Sequence, residues 1–149
     1  MAIQAGDKAP DIKTPAFKLS EQRGKQVVLF FYPKSDTPGC TKEACEFRDA
    51  AKTFAKQDAV IVGLSTDEAP AQQKFATKYS LPFTLVPDPQ HAIAEAYGVW
   101  VEKSMYGRKY MGIERSTFVV DEKGKIARVF RKVKPEGHAA QVLESLAAK

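Results

Sequence analysis

The sequence predicts an α/β fold in which a central mixed sheet is flanked by helices. Two continuous apolar runs, residues 27–32 and 59–65, are rich in β-branched and aromatic side chains, which is typical of strands buried on both faces. Residues 41–56, between them, have apolar side chains at helical spacing, so the two strands should be parallel and joined by a right-handed crossover. Residues 116–120 and 125–130 flank a turn that contains Gly124 and predict an antiparallel hairpin.

The remaining elements follow from turn residues and periodicity. Residues 1–24 are polar and interrupted by prolines and glycine, which predicts short extended pieces with a loop. Between the second strand and the hairpin, we expect in turn a helix over 67–79, a strand over 83–86, a short helix over 91–97 and a polar connection over 100–112. Apolar residues at helical spacing predict a final amphipathic helix over 136–148.

Length and composition predict one domain over residues 1–149 and restrict its partners. The chain has no apolar run near 18 residues and no basic start followed by an apolar stretch, so we expect neither a membrane partner nor a secretory signal. Two cysteines without such a signal favour the reducing cytoplasm. The net charge of +5 is concentrated in the last third of the chain. These charges alternate with apolar residues as on a solvated strand, and we expect no nucleic-acid binding.

The two cysteines lie in the most informative stretch, residues 33–49. Thr37-Pro38-Gly39 cannot continue the preceding strand, and good helix formers follow Cys40. Cys40 is therefore predicted at the start of a helix, where unpaired N–H groups and the positive end of the helix dipole favour an anion. A cysteine in that position is a candidate thiolate nucleophile.

Cys45 lies five residues after Cys40, which limits how the pair could function. On one helix their Cα atoms would be about 8.6 Å apart, whereas a disulfide requires about 7 Å or less. A Cys40–Cys45 disulfide therefore requires the first helical turns to unwind. From the spacing of the pair alone, two unrelated buried cysteines without a shared function are as good an interpretation as a reactive pair. A metal site is disfavoured because there is no second pair, and a thioredoxin-type exchange motif would have two intervening residues.

The pattern Pro33-x-x-x-Thr37-x-x-Cys40 resembles the active-site signature of the peroxiredoxins. The longer pattern, which continues through Cys45 to Asp49, is similar to the subfamily called bacterioferritin comigratory protein or peroxiredoxin Q. The similarity extends through nearly the whole chain, up to a segment that begins with Arg115.

This resemblance implies a thioredoxin-like fold and a thiol peroxidase that needs no cofactor or metal. Cys40 would attack hydrogen peroxide or an organic hydroperoxide, and Cys45 would resolve the resulting sulfenic acid as an intramolecular disulfide. Pro33 would shield the thiol from water, and Arg115 would lie beside it. For such a peroxide, the backbone N–H groups of Gly39 and Cys40 and the hydroxyl of Thr37 are candidate hydrogen-bond partners. From the residues alone, Arg115 is an ordinary surface arginine and Pro33 a strand terminator.

The resemblance also implies thioredoxin or a similar thiol as the reductant. An intramolecular resolving cysteine removes the need for a partner subunit, so we expect a monomer. A thiol–disulfide oxidoreductase or redox sensor that uses the same two cysteines is the alternative. His91 and His138 are expected at the surface, without a role in the chemistry.

Overall fold

The computed structural model describes residues 3–147, and their central feature is a five-stranded mixed sheet. The elements are β1 Gln26–Phe31, α1 Pro38–Lys56, β2 Ala59–Ser65, α2 Ala69–Lys78, β3 Thr84–Pro87, α3 Ala92–Ala96, β4 Trp100–Met105, β5 Arg108–Ile113, β6 Ser116–Val120, β7 Ile126–Phe130 and α4 His138–Ala147. The strand order is β3-β2-β1-β6-β7; β1, β2 and β3 are parallel, while β6 pairs antiparallel with both β1 and β7. A separate two-stranded sheet, β4-β5, lies outside the main sheet. The predicted α/β class with a mixed sheet and flanking helices is confirmed.

The central strand β1 has apolar cores on both of its faces. All six of its residues are buried, because alternate side chains of a strand point to opposite faces of the sheet. Leu29 and Phe31 contribute to one core and Val28 and Phe30 to the other. Helices α1 and α4 pack on the second face, while α3 and the N-terminal segment pack on the first. This is why β1 and β2 have continuous rather than alternating apolar sequences.

Residues 100–112 form a hairpin, so the predicted polar connection is wrong. β4 and β5 pair in register from Trp100↔Ile113 to Met105↔Arg108. The turn between them consists of Tyr106 and Gly107, both with positive φ, as in a type I′ turn. Charged and polar side chains on both strands obscure the apolar alternation from which a strand is usually predicted.

Two helix boundaries and one side chain also differ from expectation. Helix α1 begins at Pro38 rather than residue 41, because proline suits the first helical position. Helix α4 begins at His138, after Gly137 with φ of +78°, and its predicted last residue, Ala148, lies outside the described residues. His138 is buried rather than on the surface. Its Nε2 lies 2.6 Å from Thr117 Oγ1, and its ring packs between those of Phe47 and Phe130.

Candidate active site

Cys40 is buried in the first turn of α1, as the sequence predicts. Thr37 precedes the helix in an extended conformation, Pro38 and Gly39 are its first two residues, and Cys40 is the third. Because the first amides of a helix have no intrahelical acceptor, and the Thr37 side chain does not cap them, their N–H groups are available to an anion. The Cys40 side chain is almost fully buried, with a relative exposure of 1%.

Arg115 connects the Cys40 thiol to a buried carboxylate. It lies between β5 and β6, and its Nη2 group donates a hydrogen bond to Cys40 Sγ at 3.3 Å. Its Nη1 group donates to Glu43 Oε1 at 2.6 Å. The planar guanidinium thus bridges two side chains of one helix, and the positive charge is held against the sulfur.

Glu43 is the residue of this site that sequence reasoning missed. Its carboxyl group is fully buried, and burial raises its pKa to about 7, although the charge and hydrogen bond of Arg115 act to lower it. Its second oxygen, Oε2, has no hydrogen-bond partner among residues 3–147. The spacing was a usable signal, because residues three apart share a helix face and Glu43 lies three after Cys40.

Gly39, Thr37 and Pro33, the other predicted site residues, differ in what they contact. A Cβ atom on Gly39 would lie 3.3 Å from Arg115 Nη2, so a larger residue there would crowd the guanidinium. The Thr37 hydroxyl donates its hydrogen bond to the Lys34 carbonyl at 2.8 Å rather than to Cys40. Pro33 is half-buried, one residue after Tyr32.

The loop before α1 is fixed by hydrogen bonds to the end of β2. The Ser35 amide donates to Asp67 Oδ2 at 2.8 Å, and the Ser65 hydroxyl donates to the same oxygen at 2.7 Å. The Tyr32 hydroxyl lies 3.0 Å from Ser35 Oγ. Burial raises the pKa of Tyr32 to about 12, so this phenol stays protonated at neutral pH. The loop is therefore anchored before any substrate binds.

Cys45 lies on the same helix, and the two thiols are free. α1 is continuous from Pro38 to Lys56, and Cys45 is half-buried. Five residues of ideal helix separate the Cα atoms by about 8.6 Å, beyond the usual disulfide range of about 7 Å. This conformation therefore represents the dithiol state of the pair.

Within the described part of the chain, no group of three or more His, Cys, Asp or Glu side chains could hold a metal ion. No helix over that range is long and apolar enough to span a membrane.

Comparison with known proteins identifies the family. Residues 5–129 match the AhpC/TSA family. The chain belongs to this family, within its Bcp/peroxiredoxin Q group. It is 48% identical to peroxiredoxin Bcp of Bacillus subtilis, over 98% of this chain and 96% of that protein. It is also 48% identical to a putative peroxiredoxin bcp of Coxiella burnetii, over 98% of this chain and 100% of that protein.

Solved structures of similar proteins establish the thioredoxin-like fold. A structure of the Xanthomonas campestris bacterioferritin comigratory protein, from work on its alkyl peroxide reduction activity, has a TM-score of 0.89 and 36% identity. The alignment covers 97% of this chain and 98% of that one. A Xylella fastidiosa PrxQ mutant has a TM-score of 0.90 at 32% identity, covering 99% and 98% of the two chains. The peroxiredoxin relatives support a peroxidase activity.

Proposed function

We propose that this peroxiredoxin reduces hydrogen peroxide and organic hydroperoxides through the Cys40 thiolate. The observation that carries the proposal is the Arg115 guanidinium, which donates to both Cys40 Sγ and Glu43 Oε1. A cation held at this position stabilises the thiolate before reaction. The same cation stabilises the negative charge that develops on the departing oxygen.

In the first step, the thiolate attacks one peroxide oxygen and the O–O bond breaks. The leaving oxygen takes a proton and departs as water or an alcohol, and Cys40 becomes a sulfenic acid. The Gly39 and Cys40 amides and Arg115 provide hydrogen-bond donors for the peroxide oxygens. The Thr37 hydroxyl already donates to Lys34, so it acts as an acceptor for the peroxide O–H group. Pro33 shields the thiol from water.

Ionisation alone cannot make such a reaction fast. A free thiol of pKa 8.5 is only about 3% ionised at neutral pH, so full ionisation gains at most about thirtyfold. A thiolate of lower pKa is also a weaker nucleophile. The remaining acceleration comes from holding the peroxide in line with the sulfur and stabilising the leaving oxygen.

In the second step, the Cys45 thiol attacks the sulfenic sulfur, a disulfide forms and water leaves. Because the two residues lie on one helix, the first turns of α1 unwind before the sulfur atoms meet. Two thiols of thioredoxin, or of a similar reductant, then exchange with this disulfide and restore both cysteines. The cycle is proposed to take place in the cytoplasm.

Intact mass after one equivalent of hydrogen peroxide tests both steps. We expect the reduced protein to lose about 2 Da within seconds, Cys45→Ser to gain about 16 Da, and Cys40→Ser to do neither. Arg115→Lys should slow the change about 100-fold, because a lysine cannot reach both Sγ and the carboxylate. Arg128→Lys, on the exposed side of β7, is the matched control.

Two results would count against the proposal. No mass change in the wild type over minutes would contradict the peroxidase and favour a thiol–disulfide oxidoreductase. A loss of about 2 Da in wild type, with equally fast thioredoxin-dependent turnover by Cys45→Ser, would exclude Cys45 as the required resolving residue.

A further inference from the structure

The β4-β5 hairpin carries an unusual concentration of exposed apolar side chains. In the described range, all the large hydrophobic side chains that are exposed lie between residues 105 and 111. They are Met105, Tyr106, Tyr110 and Met111, with exposures of 56%, 98%, 43% and 48%. The hairpin does not pair with the main sheet. These side chains therefore cover no core of their own molecule.

Tyr106 is a residue type that its turn does not explain. It occupies the first central position of the type I′ turn with φ of +53°, where asparagine or glycine is the usual residue. A bulky side chain in the left-handed region is strained. Because the Tyr106 ring is almost fully exposed, packing within the chain does not offset this strain. Neither the turn nor packing within the chain therefore requires a tyrosine at this exposed position.

Cations accompany Met105 and Tyr110 on one face of the hairpin, whereas Met111 lies on the other face, opposite Glu102. The register pairs Lys103 with Tyr110 and Met105 with Arg108, and neighbouring pairs two residues apart share a face. Lys109, on the other face, forms an ion pair with Glu102 at 3.7 Å. Neither Lys103 nor Arg108 is in an ion pair with any residue that the structure describes.

We propose that the tip of this hairpin, residues 103–111, docks on the surface of an anionic lipid bilayer. Tyrosine and methionine insert into the interfacial region, while lysine and arginine bury their stems and keep their charges at the headgroups. The net charge of +5 adds attraction to an anionic surface. This goes beyond the expectation of no membrane partner, which rested on the absence of a spanning segment.

The size of the patch favours a bilayer over a protein partner. Met105, Tyr106 and Tyr110 together offer on the order of 400 Å², about half the ~800 Å² that each partner contributes to a stable protein interface. A narrow projecting turn also needs a partner with a matching cavity, whereas a bilayer adapts to its shape. A two-stranded tip is a suitable shape for shallow insertion.

Docking would hold the molecule, and with it the proposed active site, at the membrane surface. β5 ends at Ile113, two residues before Arg115, so the hairpin leads directly into the site. Burial lowers the pKa of Lys103 and the charge of Arg115 lowers it further, while Cys40 and Glu114 oppose both effects. This consequence depends on the proposed peroxidase function: a lipid hydroperoxide ROOH at the interface and a proton would react with the Cys40 thiolate, giving the alcohol ROH and the sulfenic acid.

Co-sedimentation with vesicles tests the docking. The full-length protein is mixed with vesicles of phosphatidylcholine alone or of equal parts phosphatidylcholine and phosphatidylglycerol. We expect binding to the anionic vesicles, weakened by 0.5 M salt, and at least tenfold less to the neutral ones. Tyr106→Asn should reduce binding at least fivefold without lowering the Tm, because asparagine tolerates the left-handed conformation.

A pair of variants of equal net charge separates the hairpin from general electrostatics. Arg108→Gln should reduce binding at least fivefold, whereas Arg128→Gln on β7 should change it less than twofold. Equal losses in both would overturn the proposal, as would a wild-type protein that does not sediment with anionic vesicles. If the wild type stays in solution and Tyr106→Asn instead slows reductant-linked turnover, the tip binds a protein.

Cys40→Ser keeps the two proposals distinguishable. It should sediment with anionic vesicles as the wild type does, although it consumes no peroxide. Vesicle binding by wild type and Cys40→Ser, with no peroxide consumed by either, would overturn the proposed function and leave the docking supported.

Discussion

Glu43 and Arg115 form an ion pair in which the carboxylate is the more deeply buried partner. The Glu43 side chain is 0% exposed and that of Arg115 15%. One carboxylate oxygen receives the guanidinium while the other has no partner in the described part of the molecule. The environment therefore disfavours the ionised carboxylate, which explains a pKa near 7 despite the adjacent cation.

We expect Glu43 to make the free energy of unfolding fall as the pH rises from about 4.5 to about 7. The folded protein holds this proton up to about pH 7, whereas the unfolded chain releases it near the ordinary value of 4.5. The stabilisation is complete below the unfolded pKa and is lost as the pH passes through the folded one. It amounts to about 2 to 3 kcal/mol. Urea unfolding of wild type and Glu43→Gln across this range measures it.

Glu43→Gln cannot titrate, so the wild type should lose stability relative to this variant over that range. Glu136→Gln, which removes an exposed carboxylate before α4, controls for net charge and should not reproduce the pH-dependent difference. A difference between wild type and Glu43→Gln that does not vary with pH would show that Glu43 keeps an ordinary pKa.

At the scale of elements, α1 contains the thiol, its carboxylate neighbour and the second cysteine within six residues. The sequence predicted this helix because proline, glycine and good helix formers follow a buried strand. It did not predict the β4-β5 hairpin, since Glu102, Lys103, Arg108 and Lys109 interrupt the apolar alternation. Nor did it indicate that the Tyr106–Gly107 pair would form the turn.

We expect oxidation to open the first turns of α1. After one equivalent of peroxide, amides in residues 38–46 should exchange with deuterium at least tenfold faster than in the reduced protein, because the disulfide is incompatible with the helix. Cys45→Ser treated in the same way should retain its slow exchange. Unchanged protection in oxidised wild type would mean that the disulfide forms between molecules rather than within one chain.

At the scale of the whole molecule, two apolar cores share β1, so the faces of the sheet should not unfold independently. We expect a monomer of 16.5 kDa with a single cooperative transition. Sedimentation velocity gives the mass, and coincident thermal transitions by near-UV and far-UV circular dichroism test the cooperativity. A dimer at micromolar concentration, or two separated transitions, would contradict the expectation.

The active site is where the sequence alone was least sufficient. Cys40 and Arg115 are 75 residues apart, and nothing in the local pattern around Arg115 distinguishes it from a surface arginine. The order of the strands brings it to the thiol, because β6 pairs directly with β1. Only the family resemblance predicted that Arg115 lies beside Cys40. His138 became buried for a similar reason, since Thr117 on β6 supplies its hydrogen bond.

The bridge from Arg115 to both Cys40 and Glu43 also determines how the oxidised protein behaves. All three side chains meet only while the first turns of α1 are wound. Forming the proposed disulfide takes Cys40 out of that arrangement, so the oxidised protein would no longer bind peroxide. The same change would expose the disulfide to a reductant. In the proposed cycle, each molecule would therefore react with peroxide or with reductant, but not with both at once. Unwinding would also remove the sulfur from the oxidant before a second equivalent could oxidise it further.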